Sequence, residues 1–317
     1  MKAVINDRYG GPDVLTLGER PMPDCGAGEL LIRIAASSVS RTDVATLAGK
    51  PKAARVVTGL FGPKSTVLGL DFAGVVEESR SERFAPGDRV FGMSPGQYGA
   101  HAEYLVVAAD GPVATIPDGI GFDQSVLCEG GWYAHSVLEA LGVGEGFRLL
   151  VFGGGGAVGS AAIQIAKARG ARVVAAVEPH QIDLASGLGA DLAIDSRTLD
   201  ELPEEFDGVL DAIGKLRFRR VRAKLTYTGR FASTDFGPGG EVLRLALFYT
   251  LAGRRGRVML PMPRDADAIP SMLSELMAEG RYRAVIDRSY PMDRVREAYE
   301  YAATGTKTGI VVLDIPG

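Results

Sequence analysis

The stretch Leu149-Leu150-Val151-Phe152-Gly153-Gly154-Gly155-Gly156-Ala157-Val158-Gly159 decides the fold. Leu149 to Phe152 is an unbroken apolar run, the pattern of a short strand buried on both faces of a parallel sheet. Beyond the glycines, Val158, Ala162, Ile165 and Arg169 fall at i, i+4, i+7 and i+11, so a helix follows whose inner face stays apolar until its last turn. Lys167 and Arg169 stand near its C-terminus, where the helix dipole favours cations, and Gly170 suits the residue just past the end. Arg172 to Val177 (RVVAAV) is a second buried strand. Strand, glycine turn, helix and strand make one parallel βαβ unit.

Within that turn Gly154, Gly156 and Gly159 satisfy G-x-G-x-x-G. The first glycine permits a tight turn, the second lets the backbone approach a pyrophosphate, and the third lets helix and sheet pack closely. The opening N–H groups of the helix, at Ala157 and Val158, are offered to phosphates together with the positive dipole end. The turn is therefore expected to bind a dinucleotide. The second strand ends at Val177-Glu178-Pro179-His180, where the adenosine ribose would be read. Glu178 would repel a 2′-phosphate and His180, when protonated, would attract one, so NAD and NADP both remain open.

Working outward, further strands are expected at Leu192 to Ile194, Val209 to Ala212, Arg230 to Ser233 and Arg257 to Leu260, mostly separated by helix-length segments. That alternation implies a doubly wound parallel sheet. The first ~120 residues read differently, as short strands broken by Gly and Pro: Leu30 to Ala35, Gly74 to Val76, Asp88 to Gly92 and Tyr104 to Val107. They suggest a β-rich domain or barrel. The tail offers a helix with Val295, Ala298, Tyr299 and Ala302 on one face and a strand at Ile310 to Leu313, which together can close that first domain.

Composition narrows the function classes. The chain has 317 residues, 46% hydrophobic and 23% charged, with a net charge of -4, so no global basic field attracts nucleic acid. Two cysteines, Cys25 and Cys128, cannot form a disulfide framework and suit a reducing, cytoplasmic setting. The N-terminus does not read as a signal peptide, and no apolar run of ~18 residues predicts a membrane span. The basic run Lys215-Leu216-Arg217-Phe218-Arg219-Arg220-Val221-Arg222 reads as a solvated helix face rather than an anion site.

Along nearly its full length the chain resembles the medium-chain dehydrogenase/reductases. The opening MKAVINDRYGGPDVLTLGERPMP is similar to the family's first hairpin. Gly69-Leu70-Asp71-Phe72-Ala73-Gly74-Val75-Val76, Pro86-Gly87-Asp88-Arg89-Val90-Phe91-Gly92 and Gly99-Ala100-His101-Ala102-Glu103-Tyr104 follow in the family's order, and Thr304 to Leu313 fits its ending. The resemblance implies an α/β protein, a Rossmann domain over residues 125–263 and a GroES-like β-rich catalytic domain over residues 1–124 and 264–317, with the active site in the cleft between them.

Departures from the zinc-dependent members sharpen the expectation. Ser40 stands where they carry a catalytic Cys and Leu70 where they carry a His. Cys128 survives alone at the third ligand position and reads as a small buried hydrophobe, and the four-cysteine structural lobe is missing. No metal is expected. Zinc-free relatives reduce quinones or the activated C=C of enones and enoyl thioesters with NAD(P)H, which is the leading functional expectation. The alternatives are a zinc-independent alcohol or carbonyl dehydrogenase, and a non-catalytic NAD(P)H-binding sensor or structural protein. The second is kept open by Gln181 and Ile310, which stand where many relatives have Lys.

The resemblance also nominates site residues. Ser40, Thr42 and Asp43 would lie by the nicotinamide, Asp43 either in the chemistry or as a capping carboxylate. Tyr98 would offer its phenol to a substrate carbonyl. His101 is open to a proton relay or a structural role. Trp132 would narrow the substrate pocket or pack in the core. The backbones of Ile213, Phe236 and Gly237 would contact the cofactor. Partners are expected to be a small-molecule substrate and a second copy of the chain, paired through the edge strand at Arg257 to Leu260.

Overall fold

The computed structural model describes residues 1–202, 205–253 and 256–316, the side chains of Ala54 and Val57 excepted. The chain divides into two compact units, Met1–Glu129 with Ala266–Gly317, and Gly130–Asp265.

The first unit begins with β1 (Lys2–Ile5) and β2 (Thr16–Glu19), an antiparallel hairpin. β3 (Glu29–Val39) and α1 (Arg41–Leu47) follow, then a short helix α2 (Arg55–Thr58) and strands β4 (Asp71–Ser79), β5 (Arg89–Met93), β6 (Tyr104–Ala108) and β7 (Val113–Thr115). β3 is the hub: it pairs antiparallel with β4 from Leu30 to Ser37 and with β6 from Glu29 to Arg33. Its register against β4 shifts twice, at Leu31/Ile32 and Ile34/Ala36. Such irregularities bend and twist a strand, which lets one long strand serve several neighbours of a barrel-like sheet. α3 (Cys128–Leu141) starts in this unit and continues into the second.

The second unit carries β8 (Arg148–Phe152), α4 (Ala157–Ala168), β9 (Arg172–Val177), α5 (Ile182–Gly187), β10 (Leu192–Asp195), β11 (Phe206–Asp211), α6 (Phe218–Val221), β12 (Leu225–Ser233), α7 (Glu241–Leu251) and β13 (Val258–Met259). The six strands are all parallel in the order β10-β9-β8-β11-β12-β13. This is the doubly wound Rossmann order, whose chain reversal falls between β8 and β11. β8 and β9 are buried along almost their whole length, as their continuous apolar sequences require. The last strand is shorter than the expected Arg257–Leu260: only Val258 and Met259 pair with β12.

The tail returns to the first unit through α8 (Ile269–Ala278), β14 (Ile286–Pro291), α9 (Val295–Ala303) and β15 (Ile310–Asp314). β15 pairs antiparallel with Ala36–Val39 of β3. α9 buries Val295, Ala298, Tyr299 and Ala302, one stripe at i, i+3, i+4 and i+7, into the core around Phe72, Leu30 and Ile32. The basic run is solvated at Lys215, Arg217, Arg219 and Arg222, as expected, but it is not one continuous helix. Only Phe218–Val221 is α-helical, Leu216, Phe218 and Val221 are buried, and Arg217 and Arg220 pair with Glu241 and Asp200. Among the described residues, no helix is long and apolar enough to cross a membrane.

Candidate functional site

The glycine turn connects β8 to α4 at the carboxyl edge of the parallel sheet, beside the chain reversal. Gly153 takes φ 83°, which only glycine adopts without strain. A Cβ on Gly159 would stand 2.1 Å from the Gly153 carbonyl oxygen, so a bare glycine is what lets α4 seat against the turn. Gly156 differs: the nearest atom to its virtual Cβ is the Gly153 carbonyl oxygen at 3.7 Å, an ordinary contact, so no neighbour crowds this side of the turn. Gly156 is the N-cap of α4 and no side chain caps the helix there. The opening N–H groups of α4, at Ala157 and Val158, thus face that side with a positive dipole end behind them.

Three neighbouring loops complete this rim. After β9, Glu178 and His180 are exposed, and the buried Gln181 accepts a hydrogen bond from Glu178 N at 3.3 Å while packing on Gly155. After β11, the buried Asp211 carboxylate gathers the N–H groups of Ile213, Lys215 and Leu216 at 3.2, 3.3 and 2.9 Å, which fixes the Ile213-Gly214 turn. After β12, Phe236 is 44% exposed and Gly237 takes φ 72°. Every residue nominated for the cofactor therefore lies on the carboxyl ends of β8, β9, β11 and β12. Trp132, on α3, is half-buried, edge-on to Tyr133, and donates its indole N–H to the Arg264 carbonyl at 2.7 Å.

The first unit brings Ser40, Thr42 and Asp43 together at the start of α1. Ser40 is the N-cap: its Oγ accepts from Asp43 N at 3.0 Å, and Asp43 Oδ2 accepts from Ser40 N at 3.0 Å, a reciprocal capping box. Ser40 Oγ–H also donates to Asp43 Oδ2 at 2.7 Å, and Gly69 N donates to Oδ1 at 3.2 Å. Asp43 is thus the capping carboxylate of α1, fully buried. Burial lifts its pKa to about 6 against the hydrogen bonds from Ser40 and Gly69.

Beside it lie two further buried carboxyls that the sequence reading passed over. Burial pushes Glu129 up to about 7, with the Asp43 charge adding to the rise and the hydroxyls of Thr42 and Ser40 and the ammonium of Lys307 opposing it. Asp71 is driven well above the carboxylate range by burial and then by Glu129, while Glu129 N donates to its Oδ1 at 2.9 Å and Ser38 Oγ to its Oδ2 at 3.2 Å. The ammonium of Lys307, whose own pKa burial lowers, acts on Glu129. Three carboxyls cannot all ionise around that ammonium. No periodicity or motif singles out Glu129 or Lys307, which meet only in the fold. The available signal was a carboxylate in the first turn of the helical run that starts at Cys128.

Tyr98, at φ 59°, shares a hydrogen bond with Thr46 Oγ1 at 3.2 Å, and burial raises its phenol pKa. His101 is fully buried between the Ser38 carbonyl, 3.0 Å from Nε2, and the Tyr299 hydroxyl, 3.3 Å from Nδ1. Burial lowers its pKa to about 4, so it is a neutral core imidazole. Cys128 is buried, and burial followed by the Asp71 charge holds its thiol protonated.

Residues 26–118 match the family described as alcohol dehydrogenase GroES-like domain, and residues 188–313 the one described as zinc-binding dehydrogenase. The chain is 33% identical to the 2-methylene-furan-3-one reductase of Solanum lycopersicum, over 99% of this chain and 79% of that one. It is 31% identical to the chloroplastic NADPH-dependent alkenal/one oxidoreductase of Arabidopsis thaliana, over 100% and 80%. The structure of the quinone oxidoreductase from Coxiella burnetii superposes with a TM-score of 0.85 at 26% identity, covering 100% of this chain and 99% of that one. With its GroES-like unit, its Rossmann sheet and these relatives, the chain belongs to the medium-chain dehydrogenase/reductases, in their quinone-oxidoreductase-like branch, and is an NAD(P)H-dependent oxidoreductase.

Proposed function

We propose that the protein reduces a quinone or an activated C=C, of an enone or an enoyl thioester, by hydride transfer without a metal. The observation that carries the metal-free part is the side-chain chemistry at the three ligand positions of the zinc enzymes. Ser40 is committed to capping α1, Leu70 is buried in the first unit, and Cys128 is a protonated thiol. Three such groups do not make the donor set of a catalytic zinc. The segment matching the zinc-binding description, residues 188–313, contains neither Cys nor His.

The glycine turn fits a dinucleotide: the uncrowded side of Gly156 and the uncapped start of α4 form a cradle that a side chain would fill. Bound there, NAD(P)H would supply the hydride. Gly154, Gly156, Ala157, Val158 and Gly159 would hold its diphosphate, Glu178 and His180 its adenosine ribose, and Ile213, Phe236 and Gly237 its nicotinamide half. The substrate carbonyl would meet the hydroxyls of Ser40 and Thr42 and the phenol of Tyr98, with Trp132 limiting the pocket. Asp43 acts by holding Ser40 and the start of α1 in place. The two plant relatives, one a furanone reductase and one an alkenal/one oxidoreductase, support a conjugated carbonyl substrate. The reading extends to a cytoplasmic homodimer paired at β13, the edge of the parallel sheet, and the free thiols Cys25 and Cys128 suit a reducing compartment. Sedimentation tests the dimer; a monomer at micromolar concentration would reject it.

The test of function is NADPH and NADH oxidation with menadione, ethyl vinyl ketone and an enoyl thioester. Turnover of at least one acceptor is expected. Tight nucleotide binding with no turnover on any of them would reject the proposal.

A further inference from the structure

The glycine turn fits NAD and NADP alike, and the two cofactors differ only at the 2′ position of the adenosine ribose. We propose that the protein is selective for NADH: Glu178 reads the free 2′,3′-diol, and Glu178 and Asp195 together repel a 2′-phosphate. The inference rests on the dinucleotide reading of the turn above.

In a doubly wound sheet the ribose is read at the end of the strand that follows the glycine-turn helix. A carboxylate there accepts from the ribose hydroxyls, whereas an arginine pairs with a 2′-phosphate. Here that strand is β9, and Glu178 is the first residue beyond it. Glu178 is exposed, yet its backbone is held. Glu178 N donates to Gln181 Oε1 at 3.3 Å, and the Glu178 carbonyl accepts Gln181 N at 2.8 Å. A carboxylate carried on that fixed backbone offers acceptors only, which suits two hydroxyls and opposes a phosphate.

The neighbouring side chains do not reverse that balance. Gln181, which stands where many relatives have Lys, is neutral, buried and packed on Gly155, where an added Cβ would lie 2.3 Å from the Gln181 amide carbon. β10 runs beside β9 with Asp195 level with Val177, so the residues that follow Asp195 flank Glu178. Arg197 is one of them, and Glu178 acts on its guanidinium electrostatically. That guanidinium is already paired with Asp195. Arg197 N donates to Asp195 Oδ1 at 2.9 Å, Nε to Oδ1 and Oδ2 at 3.0 and 2.9 Å, and Nη2 to Oδ2 at 2.6 Å. Arg220 comes close, with Nη2 3.5 Å from the Arg197 carbonyl oxygen, but it is paired with Asp200 at 3.1 Å. His180 is exposed on the turn after Glu178 and carries charge only when protonated. A 2′-phosphate, with a charge of about -1.5 to -2, would therefore meet the carboxylates of Glu178 and Asp195 against the guanidinium of Arg197. The diol of NADH asks only for acceptors, and Glu178 supplies them without drawing Arg197 from Asp195. The choice sets this chain apart from its NADPH-dependent plant relative.

The test titrates nucleotide-free protein at pH about 8, where an ordinary imidazole is neutral. NADH and NADPH are followed by their fluorescence, and 5′-ADP and 2′,5′-ADP, which carry the adenosine half alone, by calorimetry. The wild type should bind NADH about tenfold or more tighter than NADPH, and 5′-ADP tighter than 2′,5′-ADP. Glu178→Gln should bring NADH and NADPH to within about threefold of one another, by losing affinity for the first and gaining it for the second. Asp195→Asn, which keeps Glu178 and frees Arg197, should gain affinity for NADPH with little change for NADH. Equal or tighter binding of NADPH by the wild type would overturn the selectivity and leave the dinucleotide reading intact. An undiminished preference for NADH in folded Glu178→Gln would overturn the role given to Glu178. Should Glu178→Gln fail to fold, Asp195→Asn and the two adenosine fragments decide it. Failure of the wild type to bind either dinucleotide would overturn the dinucleotide reading and this inference with it.

Discussion

Gly156 and Gly159 stand three residues apart in one turn, yet alanine should act on them in opposite ways. At Gly159 the new methyl would lie 2.1 Å from the Gly153 oxygen and 2.7 Å from Gly154 Cα, both backbone atoms of the same turn. Neither can rotate away, so α4 must lift off the sheet by about an ångström, an overpacking cost of about 1–3 kcal/mol. At Gly156 the backbone is extended (φ -82°, ψ 173°), open to any residue, and nothing lies within 3.4 Å of the added methyl. Alanine is a poorer N-cap than glycine by several tenths of a kcal/mol, but it also restricts the unfolded chain by about 0.4–1 kcal/mol, so the net change should stay within ~0.5 kcal/mol. The methyl instead occupies the space in which a diphosphate would approach the helix N-terminus. The assay pairs thermal unfolding without nucleotide with fluorescence titration by NADPH and NADH. Gly159→Ala should lower Tm by roughly 2–12 °C. Gly156→Ala should keep its Tm and weaken nucleotide binding about tenfold or more, a loss of about 1.4 kcal/mol. Wild-type nucleotide affinity in a folded Gly156→Ala protein would refute the assignment of this turn to the cofactor.

Three further outcomes follow from the first unit. Ser40→Ala removes the N-cap of α1 and a donor to a buried carboxylate; it should cost about 1–2 kcal/mol in urea unfolding, and a change within error would show that the cap carries no load. The folded state raises the Glu129 pKa to about 7, so it holds a proton that the unfolded chain releases, and this group destabilises the fold progressively as pH rises from about 4.5 to about 7. The stability of Glu129→Gln relative to wild type should therefore climb between pH 5 and pH 8, a comparison that cancels the opposite effect of His101; a flat difference would contradict the buried acid. Tyr98→Phe loses a hydrogen bond to Thr46 worth about 0.5–1.5 kcal/mol, and if the phenol polarises substrate it should lower kcat/KM with nucleotide affinity intact, as steady-state kinetics would show.

The second unit was largely legible in the sequence because its signals are local. Leu149–Phe152 and Arg172–Val177 are continuous apolar runs, and Gly154, Gly156 and Gly159 sit at spacings that the turn geometry itself demands. The stripe Val295, Ala298, Tyr299 and Ala302 likewise carried its own period. The edge strand was over-read, since the apolar run Val258 to Leu260 says nothing of where pairing with β12 stops. The solvated cations of the basic run were legible, but not the short extent of its helix or the burial of Leu216, Phe218 and Val221, which answer to tertiary packing rather than to charge pattern. In the polar cluster only Ser40-x-x-Asp43 could be read, as a local capping pattern. Asp71, Glu129 and Lys307 come from β4, the start of α3 and the approach to β15, and only the fold brings them to Asp43. Their importance lies in burial, which a sequence of ordinary charged residues does not display.

Metal-free hydride transfer to a conjugated carbonyl is the central claim, and one measurement reaches it directly. Protein freed of metal by a chelator, with its residual metal content determined, is given ethyl vinyl ketone and nucleotide carrying deuterium at the transferable position. The account predicts undiminished turnover and one deuterium at the β-carbon of the saturated ketone, with the α-hydrogen drawn from solvent. Loss of turnover on chelation and its return with zinc, or reduction of the carbonyl to an alcohol instead, would contradict it.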